Sequence, residues 1–282
     1  MLRTIQEEFA HWKDASSRRP LLLRGARQVG KTFAVRQFAQ THFANCVELN
    51  FELYPDLRSI FSTLDPHAII RTVALTRNVT ITPGQTLVFL DEIQECPQAV
   101  MALRYFYEHM PELHVVGAGS LLDFTLRSED FRMPVGRIQY LFLRPLSFLE
   151  FLTAVGERTL TEYLSTLMLT TAVPEAVHGK LLSLIRDYLL TGGMPAVVEE
   201  YLRVPLQTTY QRVATALLQT YRDDFGKYAS HVKHPYLQRV FDSAPRLVGQ
   251  RYKYSQVDRE LRSRELKDAL SLLVRAGTLY QI

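Results

Sequence analysis

The residues with the clearest chemical capacity are Gly25-Ala26-Arg27-Gln28-Val29-Gly30-Lys31-Thr32, which fit G-x-x-x-x-G-K-[ST]. Glycines let the backbone curl so that successive N–H groups face a phosphate. A helix opening at Lys31 adds its positive dipole end. In this pattern Lys31 reaches the β- and γ-phosphates and the Thr32 hydroxyl ligates Mg²⁺. Phe33 completes the candidate nucleotide-binding stretch. A second segment, Leu87-Val88-Phe89-Leu90-Asp91-Glu92, is an apolar run ending in two carboxylates. Asp91 is placed to bind the metal, and Glu92 to take a proton from an attacking water. An adjacent Asp-Glu pair favours transfer to water over transfer to a small acceptor.

Two further positions belong to the candidate catalytic set. Ser120 follows a buried strand, and either contacts the γ-phosphate or its attacking water, or caps a helix opening at Leu121. Arg127, Arg132 and Arg137 are candidates for the cation that stabilises phosphoryl transfer, with Arg137 preferred. The alternative for each arginine is a surface ion pair. His231 and His234 lack a partnering acid or cysteine, and Arg222-Asp223-Asp224 reads as a solvated helix face.

The elements around these residues repeat a pattern. Residues 5–13 form a short amphipathic helix with Ile5, Phe9 and Trp12 on one face. Leu21-Leu22-Leu23 reads as a strand buried on both sides, followed by the glycine loop and a helix from Lys31 to Phe43. Further strands are expected at 47–51, 86–90, 114–117 and 138–143, and helices at 56–77 and 97–110. Strands alternating with helices imply a parallel sheet covered on both faces. From Pro145 onward helical patterns dominate, at 147–155, 160–169, 178–190, 195–202 and 206–228, with Gly192-Gly193-Met194-Pro195 as a tight turn. Residues 235–247 form a helix, Ser255 and Ser263 cap two more, and a strand begins at Leu279. That order is the order of a winged-helix unit.

Composition supports this reading. Hydrophobic residues make up 47% and charged residues 22%, enough for a sizeable core. Between Arg246 and Arg275 there are eight basic and four acidic residues, so this stretch carries the whole formal excess of +4. A basic segment on a neutral body makes a polyanion such as DNA a candidate partner. Cys46 and Cys96 have neither zinc nor redox spacing and are expected as free thiols in a reducing cytoplasm. No apolar stretch is long enough to span a bilayer.

The chain resembles a prokaryotic family of AAA+-like ATPases. The resemblance rests on Arg24–Thr32, Asp91-Glu92-Ile93-Gln94, Gly119-Ser120, Gly136-Arg137 with Pro145-Leu146-Ser147-Phe148, and Gly192-Gly193-Met194-Pro195. It implies an α/β P-loop core, a helical lid and a winged helix, followed by a further C-terminal domain of unknown function. Here the sequence given ends at Ile282, where the wing would begin. The expected division is an ATPase core over 1–155, a lid over 156–233 and a partial winged helix over 234–282. ATP or ADP and Mg²⁺ are the implied ligands, and a second copy or a partner protein is a further candidate partner. The expected function is Mg²⁺-dependent ATP hydrolysis that drives or gates a C-terminal module. The alternative is a nucleotide-gated DNA-binding or regulatory switch with little turnover of its own.

Overall fold

The computed structural model describes all residues except 2, 121, 123–135, 169, 205, 229–232, 259 and 282. Arg127, Arg132, His231 and the expected helix cap at Leu121 lie outside the described residues.

Five parallel strands form one sheet: β1 (Leu21–Arg24), β2 (Asn45–Asn50), β3 (Thr86–Asp91), β4 (His114–Gly119) and β5 (Gln139–Phe142). Their spatial order is β2-β3-β4-β1-β5, which puts β1 between β4 and β5. Parallel strands need crossover connections, and helices supply most of them here. These are α2 (Lys31–His42), α3 (Pro66–Arg77) and α4 (Pro97–His109), while α1 (Ile5–Asp14) leads into β1. Every residue of β3 and β4 is buried, as continuous apolar runs require when both faces are covered.

Alternation along the strands sorts the core into two layers. Leu22, Val88, Leu90 and Val115 face a cluster with α3 and α4. Leu21, Leu23, Leu87, Phe89, Val116 and Ala118 face the other side, against Phe9, Trp12, Val35 and Phe38 of α1 and α2. The N-terminus is tied down by Glu150. Its carboxylate accepts from Arg3 Nε at 3.1 Å and from Thr4 N at 2.8 Å, and also completes a capping box with Ser147. Burial pushes this carboxyl up, but backbone N–H donation from Ser147 and Thr4, and Arg3 beside it, bring it below the usual range.

The second half is helical: α5 (Phe148–Ala154), α6 (Arg158–Thr166), α7 (Glu175–Thr191), α8 (Pro195–Arg203), α9 (Gln207–Asp223), α10 (Phe225–Tyr228), α11 (His234–Leu247), α12 (Tyr254–Val257) and α13 (Ser263–Arg275). Leu237, Val240, Leu266, Ala269, Leu270 and Leu273 pack α11 and α13 together. Several local expectations are corrected. The 56–77 helix is broken: a 3₁₀ segment ends at Thr63, Leu64 is left-handed (φ 56°), and α3 restarts with Asp65 as cap and Pro66 in its first turn. β4 runs to Gly119 rather than ending at Gly117. Lys253 and Arg262 occupy the cap positions assigned to Ser255 and Ser263, which fall inside the helices. No strand forms from Leu279 among the described residues.

His114, at the entry of β4, is buried between Trp12 and Phe43, both edge-on, with ring centroids 5.8 and 4.9 Å away. Burial, aided by the charge of Arg18 and opposed by the Lys13 backbone and Asp14, lowers its imidazole to about 4. An unfolded histidine protonates near 6.5, so the unfolded chain takes up this proton first as pH falls. Stability should therefore drop between about pH 6.5 and 4, by ~2 kcal/mol at pH 5 for this group alone. Urea unfolding at pH 7.5 and 5 should show a smaller pH penalty in His114→Phe than in the wild type.

Candidate functional site

The glycine loop joins β1 to α2 at the carboxyl end of the sheet. Gly25 has φ +154°, and a side-chain carbon there would collide with the Leu143 carbonyl just beyond β5. Only glycine lets the loop pass this close to its neighbour. Gln28 (φ 60°) and Gly30 (φ 95°) turn the chain through left-handed conformations, and α2 starts at Lys31. Ala26 and Val29 anchor the loop in apolar surroundings, while Gln28 and Phe33 are exposed.

Lys31 is buried, and its Nζ donates to the Gly25 and Ala26 carbonyls at 3.1 and 3.0 Å. The ammonium therefore lies in the concavity of its own loop. Burial lowers it to about 8, Glu92 and Asp91 oppose that shift, and Arg27 adds to it. Thr32 Oγ1 lies 3.2 and 3.1 Å from the two Asp91 oxygens. Asp91 is 3% exposed, and burial together with Glu92 raises its carboxyl despite the Thr32 hydrogen bond. A hydroxyl and a carboxylate at this separation are hard oxygen donors of the kind Mg²⁺ takes when phosphate and water complete its shell. Among the described residues, no cluster of three or more His, Cys, Asp or Glu could hold a metal.

The strand order assembles the rest. β4 separates β1 from β3, so Ser120 emerges between the loop and the Asp91–Glu92 tip. Ser120 lines a cavity of about 330 Å³ with Gly25, Gly119, Arg275 and Gly277. Gly25, Ala26, Arg27, Gln28, Val29, Gly30, Lys31, Thr32, Asp91, Glu92 and Ser120 are thus gathered at one end of the sheet. Arg137 is not. It precedes β5, whose Gln139 pairs with Leu21 at the start of β1, so it sits at the opposite end from the loop. There it binds Glu108 at 3.1 Å and is 47% exposed on its side chain, the surface ion pair weighed as its alternative.

Three positions were missed by sequence reasoning. Asn50, at the end of β2, donates to Asp91 Oδ2 at 3.1 Å; the signal was a polar residue ending a strand. Asp224 is buried, not on a solvated face, and binds Arg27 Nη1 at 2.9 Å. Gln94 donates to Glu92 Oε2 at 2.6 Å. Around Arg27 the helical half closes on the loop: Tyr221 donates to the Arg27 carbonyl at 2.9 Å. A side-chain carbon on Gly277 would stand 3.4 Å from Ala26 N.

A parallel sheet in this order, a glycine loop opening a helix and an acid at the tip of the second strand beyond it define an AAA+-like P-loop ATPase core. Residues 17–152 match a family model described as AAA domain. Residues 182–282 match a model described as Domain of unknown function (DUF8612). Among solved structures, the Aeropyrum pernix ORC2 protein (ADPNP-ADP complexes) is similar at 14% identity, over 98% of this chain and 86% of that one, with TM-score 0.48. The Aeropyrum pernix ORC1 protein in complex with DNA matches at 14% identity, over 97% and 81%, with TM-score 0.33. Drosophila ORC bound to DNA matches at 15% identity, over 96% and 76%, with TM-score 0.39. No curated protein matches the chain.

The geometry predicts a separable metal contribution. Thr32→Val, which keeps the shape and deletes the hydroxyl, should abolish most of the gain in ADP affinity on adding Mg²⁺, at least ~10-fold, while leaving affinity in EDTA within about threefold. Calorimetric titration with and without Mg²⁺ checks this.

Proposed function

We propose that this chain binds Mg-ATP and hydrolyses it, and that the nucleotide gates the position of the helical half against the core. The carrying observation is the convergence of Lys31, Thr32, Asp91 and Glu92 at one sheet end. Thr32 and Asp91 would hold Mg²⁺, which supplies charge neutralisation at the β- and γ-phosphates. The loop N–H groups and Lys31 orient the phosphates. Water oxygen attacks the γ-phosphorus, the bond to the bridging oxygen breaks, and ADP leaves with that electron pair. The water proton passes to Glu92. Ser120 would contact the γ-phosphate or this water. For the cis cation, Arg275 fits better than Arg137, because it shares the cavity with Gly25 and Ser120. Arg137, ion-paired with Glu108 at the far end of the sheet, is too remote to serve as that cation in cis.

The gating half of the proposal rests on Arg27. Its backbone belongs to the phosphate loop, its guanidinium binds buried Asp224, and its carbonyl takes the Tyr221 hydroxyl. A phosphate entering the loop acts on the same residue that holds the helical half. A core over 1–155, a lid over 156–233 and a winged-helix-like segment over 234–282 would then move relative to one another. Two free thiols, one of them buried, suit a cytoplasmic setting. Glu92→Gln should cut turnover by ~10²–10⁴-fold with ADP affinity within about threefold; turnover near the wild-type rate would remove Glu92 as the base. Hydrogen exchange at residues 221–228 and 273–280 should differ between ATP and ADP in Glu92→Gln. Adding Asp224→Asn should erase that difference.

A second reading, a nucleotide-gated DNA-binding switch, is favoured by the surface of the C-terminal segment. Arg246, Arg251, Lys253, Arg262, Arg264 and Lys267 are all exposed. Binding of duplex DNA should weaken steeply with salt, and Arg264→Glu with Lys267→Glu should weaken it while leaving turnover alone. Absence of binding at ~50 mM salt would exclude this reading.

A further inference from the structure

The turn after Asp91 is built at a conformational cost. Glu92 is left-handed (φ 48°, ψ 46°), a region unfavourable for a residue that carries a side chain. It opens a single 3₁₀ turn, Ile93–Glu95, which docks on β4. Gly117 and Gly119 lie two apart on β4 and so share one face of the sheet. A side-chain carbon on Gly117 would meet Ile93 Cδ1 at 2.8 Å, and one on Gly119 would collide with Gln94 Oε1. Both glycines therefore make room for the turn. Arg58 binds Glu95 at 3.1 Å and holds its outer edge.

Within this turn Gln94 Nε2 donates to Glu92 Oε2 at 2.6 Å, shorter than an ordinary N–H···O bond. The other amide atom, Gln94 Oε1, is buried and has no hydrogen-bond partner. A buried acceptor without a donor loses its hydration with nothing in return. Rotating the amide would leave an oxygen facing the carboxylate, so the Glu92 bond determines this orientation. Two unfavourable features, the left-handed backbone and the orphan carbonyl, thus converge on the placement of one carboxylate. Costs of this kind persist where function over-determines a geometry.

We propose that Gln94 is the positioning residue for Glu92: it holds one carboxylate oxygen so that the other is presented to the attacking water, and it ties that carboxylate to the β4 tip carrying Ser120. This rests on the hydrolytic reading above. Gln94 acts through Glu92 and touches no reacting atom.

The test is a double-mutant cycle of Gln94→Leu and Glu92→Gln, with kcat, KM for Mg-ATP, ADP affinity and Tm measured for each. Gln94→Leu should lower kcat ~10–100-fold, as loss of an orienting partner does, with KM and ADP affinity within about twofold. Tm should hold or rise, because a buried unpaired acceptor is removed. In the Glu92→Gln background the same change should alter residual turnover less than about twofold. Gln94→Met, of similar length, serves where the leucine variant does not fold. Wild-type kcat in either folded Gln94 variant would overturn the proposal. So would an equal loss in both backgrounds, or a loss accompanied by raised KM and lowered Tm. A wild-type rate in Glu92→Gln would instead overturn the assignment of the base, so the two failures are distinguishable.

Discussion

The constraint on which the site depends is the passage of Gly25 against the Leu143 carbonyl. β1 must sit in the sheet interior for its apolar residues to be buried on both faces, and the chain must then leave it beside β5 without a side chain in the way. Once that passage is made, the backbone curls through Gln28 and Gly30, α2 opens at Lys31, and the lysine is drawn into the loop. The same crowding gives Lys31 its depressed ammonium. Burial removes water from the charge, and the carboxylates of Asp91 and Glu92 restore only part of the loss.

Strand order does the second piece of assembly. With β4 between β1 and β3, the loop and the acidic tip are not on adjacent strands but face one another across the end of β4. That arrangement puts Ser120 between the loop and the acidic tip. It also makes β4 responsible for two tasks. Its central residues are core, and its glycines at 117 and 119 admit the turn that carries Glu92 and Gln94.

The helical half contacts the loop chiefly at Arg27, through both its backbone and its side chain. Arg27 bonds Asp224 and Tyr221, Gly277 lies against Ala26, and Arg275 shares the cavity beside Gly25. Ion pairs with one buried partner, such as Asp224 with the partly exposed Arg27, give modest net stability, because desolvation offsets much of the attraction. Their sensitivity to a change in one partner is large, which is the property a coupling element needs.

The sequence by itself determined the phosphate loop, the Asp91–Glu92 tip, the buried parallel strands and most helices, because each has a local signature. Spacing gives the loop, continuous apolar runs give β1 and β3, and the 3.6-residue period gives α1, α4 and α13. It overextended where a local break mattered, as at Leu64 and Pro66, since a helical pattern continues across a turn that reverses only one dihedral. Tertiary structure decided the pairings that span the chain. Arg27 and Asp224 are 197 positions apart, so nothing in their spacing separates a solvated acid from a buried partner. Arg137 follows a plausible loop, yet parallel pairing of β5 with β1 carries it to the far end of the sheet. Glu92 was legible as a carboxylate at a strand end. The grip of Gln94 on it was not, because it depends on a left-handed backbone and on two glycines in a different strand.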